Sequence, residues 1–115
     1  MHIPLTNWLA KLPLPADDKW TEGVWDIEAL RHGSMSLVLF TPKGHDYQSP
    51  HEQDELYIVL RGNGIFQLEQ SSISFAAGDV LFVPAHAEHR FVEFSEDLIT
   101  WAVFWGPIGG ERNVA

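Results

Sequence analysis

The sequence predicts an all-β domain, a sandwich or a barrel, and three observations carry that expectation. Runs rich in aromatic and β-branched residues are short and numerous. Turns bearing glycine or proline separate them, as at Gly33, Gly62 with Gly64, Gly78 and Pro84. Several runs alternate apolar with polar side chains, which is the period of a strand with one face in a core.

The chain opens on a segment broken by Pro4, Pro13 and Pro15, which limits residues 7–12 to one helical turn or two packed against the barrel. Trp25, Ile27 and Ala29 alternate with Asp26 and Glu28 as a half-buried strand would, and His32 and Gly33 turn the chain into residues 35–40, completing a hairpin. A strand at 55–60 leads to a turn at Gly62, Asn63 and Gly64, then to a strand through Ile65, Phe66 and Leu68. Gln70, Ser71 and Ser72 turn into a short strand at 73–75, and Gly78 and Asp79 lead into 80–83, which Pro84 ends. Residues 89–94 and 98–105 close the set, the last strand carrying Trp101, Val103 and Trp105 on one face and Ala102 and Phe104 on the other. By size, 115 residues make one domain: an arm at 1–20, a barrel at 21–105 and a turn-rich tail at 106–115.

Composition narrows the function. Sixteen acidic against seven basic side chains give a formal charge of −9, a field that repels phosphate backbones and argues against nucleic acid as a partner. A small anionic metabolite stays compatible, because a bound cation reverses the local potential. No apolar run is long enough to cross a membrane and no secretory leader is recognisable, so a cytoplasmic location is expected. With no cysteine, only imidazole and oxygen ligands are available to a metal.

Two stretches concentrate such ligands, residues 44–55 and 78–89. His51, Glu55 and His89 together can form a facial set of two imidazoles and one carboxylate on a single ion. Four residues of straight strand span about 13 Å, too far for His51 and Glu55 to share bonds of about 2 Å, so the chain must turn between them. The polar residues 52–54 supply that turn, with His51 ending one strand and Glu55 opening the next. A helix is disfavoured, since Pro50 restricts its neighbour and residues 56–60 are strand formers. Asp54, of opposite strand parity to Glu55, is expected to face solvent.

These stretches resemble the two motifs of the cupin superfamily. Gly44, His51, Glu55 and, six residues on, Gly62 follow the first; Gly78, Pro84 and His89 follow the second. The sequence departs from the pattern at Ser49, which stands where the motif has its first histidine, and at His86, which stands where it has a glycine. The resemblance implies a double-stranded β-helix, or jelly roll, with a short N-terminal helical or irregular segment, and a concave mouth for which Tyr57, Phe91 and Trp101 are candidate lining residues. It implies a divalent transition metal (Fe, Mn, Zn or Ni) on His51, Glu55 and His89, with water, His45 or a repositioned His86 as the fourth ligand or a nearby support. A neutral serine hydroxyl is a poor ligand for such an ion, and Ser49 is not assigned to it. The expected activity is that of a small-molecule metalloenzyme, of oxygenase or isomerase/lyase type; the alternative is a non-catalytic ligand-binding or sensor cupin. Pairing through barrel edges into a homodimer is a further implication.

Overall fold

A computed structural model of the protein describes residues 1–112, so residues 113–115 of the tail read at 106–115 lie outside the described part. A short helix, α1 (Leu5–Leu9), precedes eight strands: β1 (Asp26–His32), β2 (Met35–Phe40), β3 (Asp54–Arg61), β4 (Asn63–Leu68), β5 (Ser71–Ala76), β6 (Val80–Val83), β7 (His89–Phe94) and β8 (Ile99–Trp105). They form a five-stranded sheet in the order β1-β2-β8-β3-β6 and a three-stranded sheet in the order β5-β4-β7. Every strand pairing is antiparallel, and the architecture is the expected jelly roll.

Strand parity decides what lies between the sheets. In register, Glu55 pairs with Phe104 and Val83, and Tyr57 pairs with Ala102 and Leu81. These residues therefore share the inner face, while Leu56, Ile58, Trp101, Val103 and Phe82 share the outer one. The inner residues meet an aromatic cluster from the small sheet, with ring centroids 4.8 Å apart for Phe66–Phe91 and 5.0 Å apart for Tyr57–Phe91. Each such ring contributes about 1.5–3 kcal/mol by leaving water.

The strands of the small sheet approach each other very closely at Gly64. A Cβ built there would lie 1.9 Å from the Glu93 carbonyl oxygen, so no other residue fits without separating β4 from β7. The turn before β4 is tighter than the sequence suggests, since Asn63 and Gly64 already belong to the strand and Gly62 makes the bend at φ 98°. Ser71 and Ser72 likewise pair with Leu68 and Gln67 rather than turning. In β1 the alternation through Ile27 stops at a register shift between Glu28 and Leu30.

The arm reaches the barrel through Leu14, which exchanges backbone hydrogen bonds with Val24 at 2.8 and 3.1 Å. Asp17 Oδ1 accepts the N–H groups of Lys19 and Trp20, and buried Trp20 packs edge-on against Phe40 and Tyr47. Lys19 is thereby delivered to the barrel mouth. Among the described residues, no helix is long and apolar enough to cross a membrane.

Candidate metal centre

The inward parity of β3 carries Glu55 and Tyr57 into the barrel, and β7 opens opposite them at His89; all three are buried. Residues 46–51 cross the mouth as irregular chain, bend at Glu52 and Gln53, and enter β3 at Asp54. The bend supplies the turn that spacing demands. His51, however, ends no strand: Pro50 donates no ladder hydrogen bond and restricts Ser49, so this segment stays irregular. Two ties hold it in place. The His86 N–H donates to the His51 carbonyl at 2.7 Å, and the Phe91 N–H donates to Asp46 Oδ2 at 2.9 Å.

His51, Glu55 and His89 converge, with one ligand atom of each lying within 4.8 Å of the others. His89 Nε2 is 3.2 Å and His51 Nε2 is 3.9 Å from Glu55 Oε1. The Glu55 side chain is 1% exposed, and its Oε1 has no hydrogen-bond donor while the His89 ring is neutral; a protonated His89 Nε2 would supply one. The other His89 nitrogen, Nδ1, donates to the Ala87 carbonyl at 2.9 Å, so in the neutral ring Nε2 turns a lone pair toward the carboxylate. An orphaned carboxylate oxygen facing imidazole lone pairs is a donor set for a divalent transition metal.

Electrostatics follow the burial. Burial raises the Glu55 pKa, opposed by the hydrogen bond and charge of His89. Burial alone would lower His89, but the hydrogen bonds to Glu55 and the Ala87 carbonyl, with the Glu55 and Asp46 charges, outweigh it and raise the ring's pKa. For His51, burial and then the neighbouring His89 push the pKa down to about 4, so the ring is neutral at pH 7 with a lone pair to offer.

Sequence reasoning missed Gln48. Its Oε1 accepts from the Tyr57 hydroxyl at 2.7 Å and lies 3.1 Å from His89 Nε2 and 3.3 Å from His51 Nε2. Its Nε2 donates to Asp46 Oδ2 at 2.6 Å, and its backbone N–H donates to Asp46 Oδ1 at 3.0 Å. A glutamine in an irregular loop carries no periodicity that would have marked it.

Several expectations are corrected. His45 is exposed, its ring 5.6 Å from that of Tyr47, and it does not join the cluster. Exposed His86 also stays out; it adopts φ 66°, the backbone conformation for which the family pattern has glycine, and serves through its N–H. Asp54 is buried, not solvent-facing: Oδ1 accepts from the Ala85 N–H at 3.0 Å and Oδ2 from the Glu111 N–H at 2.8 Å. Trp101 lies on the outer face and Phe91 in the core, so neither lines the mouth, whereas Tyr57 does. Ser49 is exposed, and its Oγ accepts from Lys19 Nζ at 2.8 Å.

Beside the cluster opens a cavity of about 330 Å³. Its apolar wall includes Trp20, Val38, Phe40 and Phe104, and Phe104 packs edge-on to the His51 ring at 4.8 Å. Lys19 is the one cationic side chain among the described residues of its lining.

Comparison with known proteins agrees with this architecture. A protein of Streptomyces coelicolor without an assigned function is 34% identical over 96 residues, covering 82% of this chain and 90% of its own length. Among solved structures, a Neisseria meningitidis protein superposes with a TM-score of 0.66 at 18% identity, covering 92% of this chain and 100% of that one. A cupin-2 domain protein of Shewanella frigidimarina gives 0.62 at 16% identity, covering 89% and 91%. KdgF from a Halomonas species gives 0.61 at 20%, covering 70% and 77%. At these identities the structural likeness speaks for the fold. The Cupin domain family itself is matched over residues 36–104, more than half of the chain, and the protein belongs to that family.

Proposed function

We propose that this protein is a metal-dependent enzyme acting on a small anionic metabolite, of oxygenase or isomerase/lyase type, with His51, Glu55 and His89 as protein ligands. The observation that carries the reading is the buried Oε1 of Glu55, facing two imidazole nitrogens and without a hydrogen-bond donor when those rings are neutral. An unpaired charge there costs several kcal/mol, and a cation relieves it. A divalent ion held by this set would polarise a carbonyl or activate dioxygen or water.

The chain's own residues do the rest. Lys19 at the rim offers an ammonium to a carboxylate or phosphate in a protein otherwise strongly acidic, which orients the substrate toward the cluster. Phe40, Val38 and Phe104 exclude water from its apolar part. His51 stays neutral across the physiological range, keeping its ligand lone pair. The test is elemental analysis of tag-free protein alongside His51→Ala, Glu55→Ala and His89→Ala, followed by turnover assays on small carboxylates and sugar phosphates. Metal at one equivalent, lost in all three variants, is the expected result; wild-type protein free of metal after growth and after reconstitution overturns the reading. The cavity wall, part apolar and part polar, also suits a ligand-binding protein without turnover, and that alternative gains if ligand binds metal-stripped protein and nothing is converted.

We further propose that a second copy covers the outer face of β3 and β6. Val80 is 57% and Phe82 50% exposed, and β6 ends its sheet with a free edge. Light scattering should give a dimer that Phe82→Glu dissociates; a wild-type monomer at micromolar concentration refutes this.

A further inference from the structure

We propose that the side-chain carbonyl of Gln48 is a fourth protein ligand at the metal centre, held in position by Asp46 and Tyr57; the inference rests on the metal reading above. Distances support it first. Metal bonds of about 2.1 Å place neighbouring donors about 3.0 Å apart at a right angle and about 3.4 Å apart at the tetrahedral angle. Gln48 Oε1 is 3.1 Å from His89 Nε2 and 3.3 Å from His51 Nε2, and Glu55 Oε1 is 3.2 Å from His89 Nε2. These three spacings match edges of one coordination polyhedron, with Gln48 meeting both imidazoles; the His51 Nε2 to Glu55 Oε1 spacing of 3.9 Å is wider and would close when an ion is bound.

Orientation supports it second. The amide is gripped at its nitrogen end, because Nε2 donates to Asp46 Oδ2, an acceptor fixed in turn by the Phe91 N–H. At the other end the buried Tyr57 hydroxyl donates to Oε1. The Asp46 carboxylate needs the amide nitrogen on its side, which turns the oxygen toward the cluster, where the Tyr57 hydroxyl donates to it. A carbonyl oxygen has two lone pairs; Tyr57 uses one and the other is left for the cluster. The neutral His89 ring has no hydrogen to give it, since its Nδ1–H is engaged by Ala87, and His51 has none to give in the tautomer that carries its hydrogen on Nδ1, the form a metal bound at Nε2 requires. Four lone-pair donors thus share one space, two nitrogens and two oxygens carrying a single formal negative charge.

Chemistry supports it third. Ser49, where the family motif has its first histidine, is turned outward to Lys19, so the donor set lacks that imidazole. A neighbouring loop residue would replace a nitrogen with a harder oxygen, which tilts preference toward Mn(II) and Fe(II) relative to Cu(II).

The test compares wild type with Gln48→Leu, which has no donor, and Gln48→Asn, which keeps the amide but withdraws its carbonyl by one methylene. Mn(II) affinity is read from the electron paramagnetic resonance of free ion, ligation from the visible spectrum of the Co(II)-loaded forms, and integrity from thermal melting without metal. The expected result is Mn(II) binding about 10- to 100-fold weaker in both variants, with an altered Co(II) spectrum and a metal-free melt that stays cooperative, though lowered in Gln48→Leu, where the buried Tyr57 hydroxyl and Asp46 lose their partner. Equal affinity and an identical Co(II) spectrum in Gln48→Leu overturn the role of Gln48 and leave the three-ligand centre standing. Wild-type protein that binds neither ion overturns the metal reading and this inference with it.

Discussion

Returning a divalent cation to metal-stripped protein should raise its thermal midpoint, and the rise should depend on Glu55. A ligand that binds only the folded state, present at 100 times its dissociation constant, adds about 2.7 kcal/mol. Unfolding entropy of about 2.1 cal/mol/K per residue gives roughly 0.24 kcal/mol per degree for 115 residues, so the midpoint should climb by about 11 °C. Glu55→Leu keeps much of the volume of the carboxylate in this cluster but removes its charge and its donor oxygens. Loss of a group that merely supports a metal ligand weakens binding by up to about 100-fold, so losing the ligand itself should cost at least that. At the same free cation the gain then shrinks to about 0.4 kcal/mol, or about 2 °C. Scanning fluorimetry on the five tryptophans, with Mn(II), Fe(II), Co(II), Ni(II) and Zn(II) added in turn, reads both quantities. No shift in wild type with any of these ions, or the same shift in Glu55→Leu, would refute the reasoning.

Three further outcomes follow from the geometry. His86→Gly should leave cation affinity unchanged and stability level or up to about 1 kcal/mol higher, whereas His86→Val, β-branched at φ 66°, should lose about 1–3 kcal/mol; urea unfolding separates the two. Asp54→Ala removes the acceptor for two backbone N–H groups and should cost about 2–4 kcal/mol by the same assay. The Asp26 carboxyl has its pKa raised above the ordinary 3.8, by burial first and then by Asp17, with Lys19 opposing. Its folded form takes up a proton more readily than its unfolded form, so this group removes stability as pH rises from 3.8 through its raised value. Asp26→Asn should therefore be more stable than wild type at pH 7, with the advantage fading toward pH 4 in a urea series; an advantage that grows toward acid would contradict the sign.

Much of this molecule is legible in its sequence because strand parity is a strict rule. Once residues 55–60 are read as a strand, Glu55 and Tyr57 must share a face, and the register with Ala102 and Phe104 makes that face the inner one. Parity fails where a second layer covers the outer side. Asp54 has the outward parity expected of it, yet the backbone at Ala85 and Glu111 folds over it, a long-range contact with no local signature. Trp101 and Phe91 were open to two readings because an aromatic suits a pocket wall and a core equally; only the pairing partners decide. Gln48 was hidden for a different reason. Its importance comes from its neighbours, Asp46 and Tyr57, and the chain between 46 and 51 has no period from which to infer that they meet.

His86 has a bearing on how relatives of this protein are to be found. At that position the barrel requires a backbone angle, and the N–H that angle presents to residue 51, not the absence of a side chain. Searches that insist on glycine there will pass over chains with histidine, asparagine or aspartate, the residues that tolerate the left-handed region best. A pattern written in permitted dihedral angles would admit them, and would group sequences by what the turn must do.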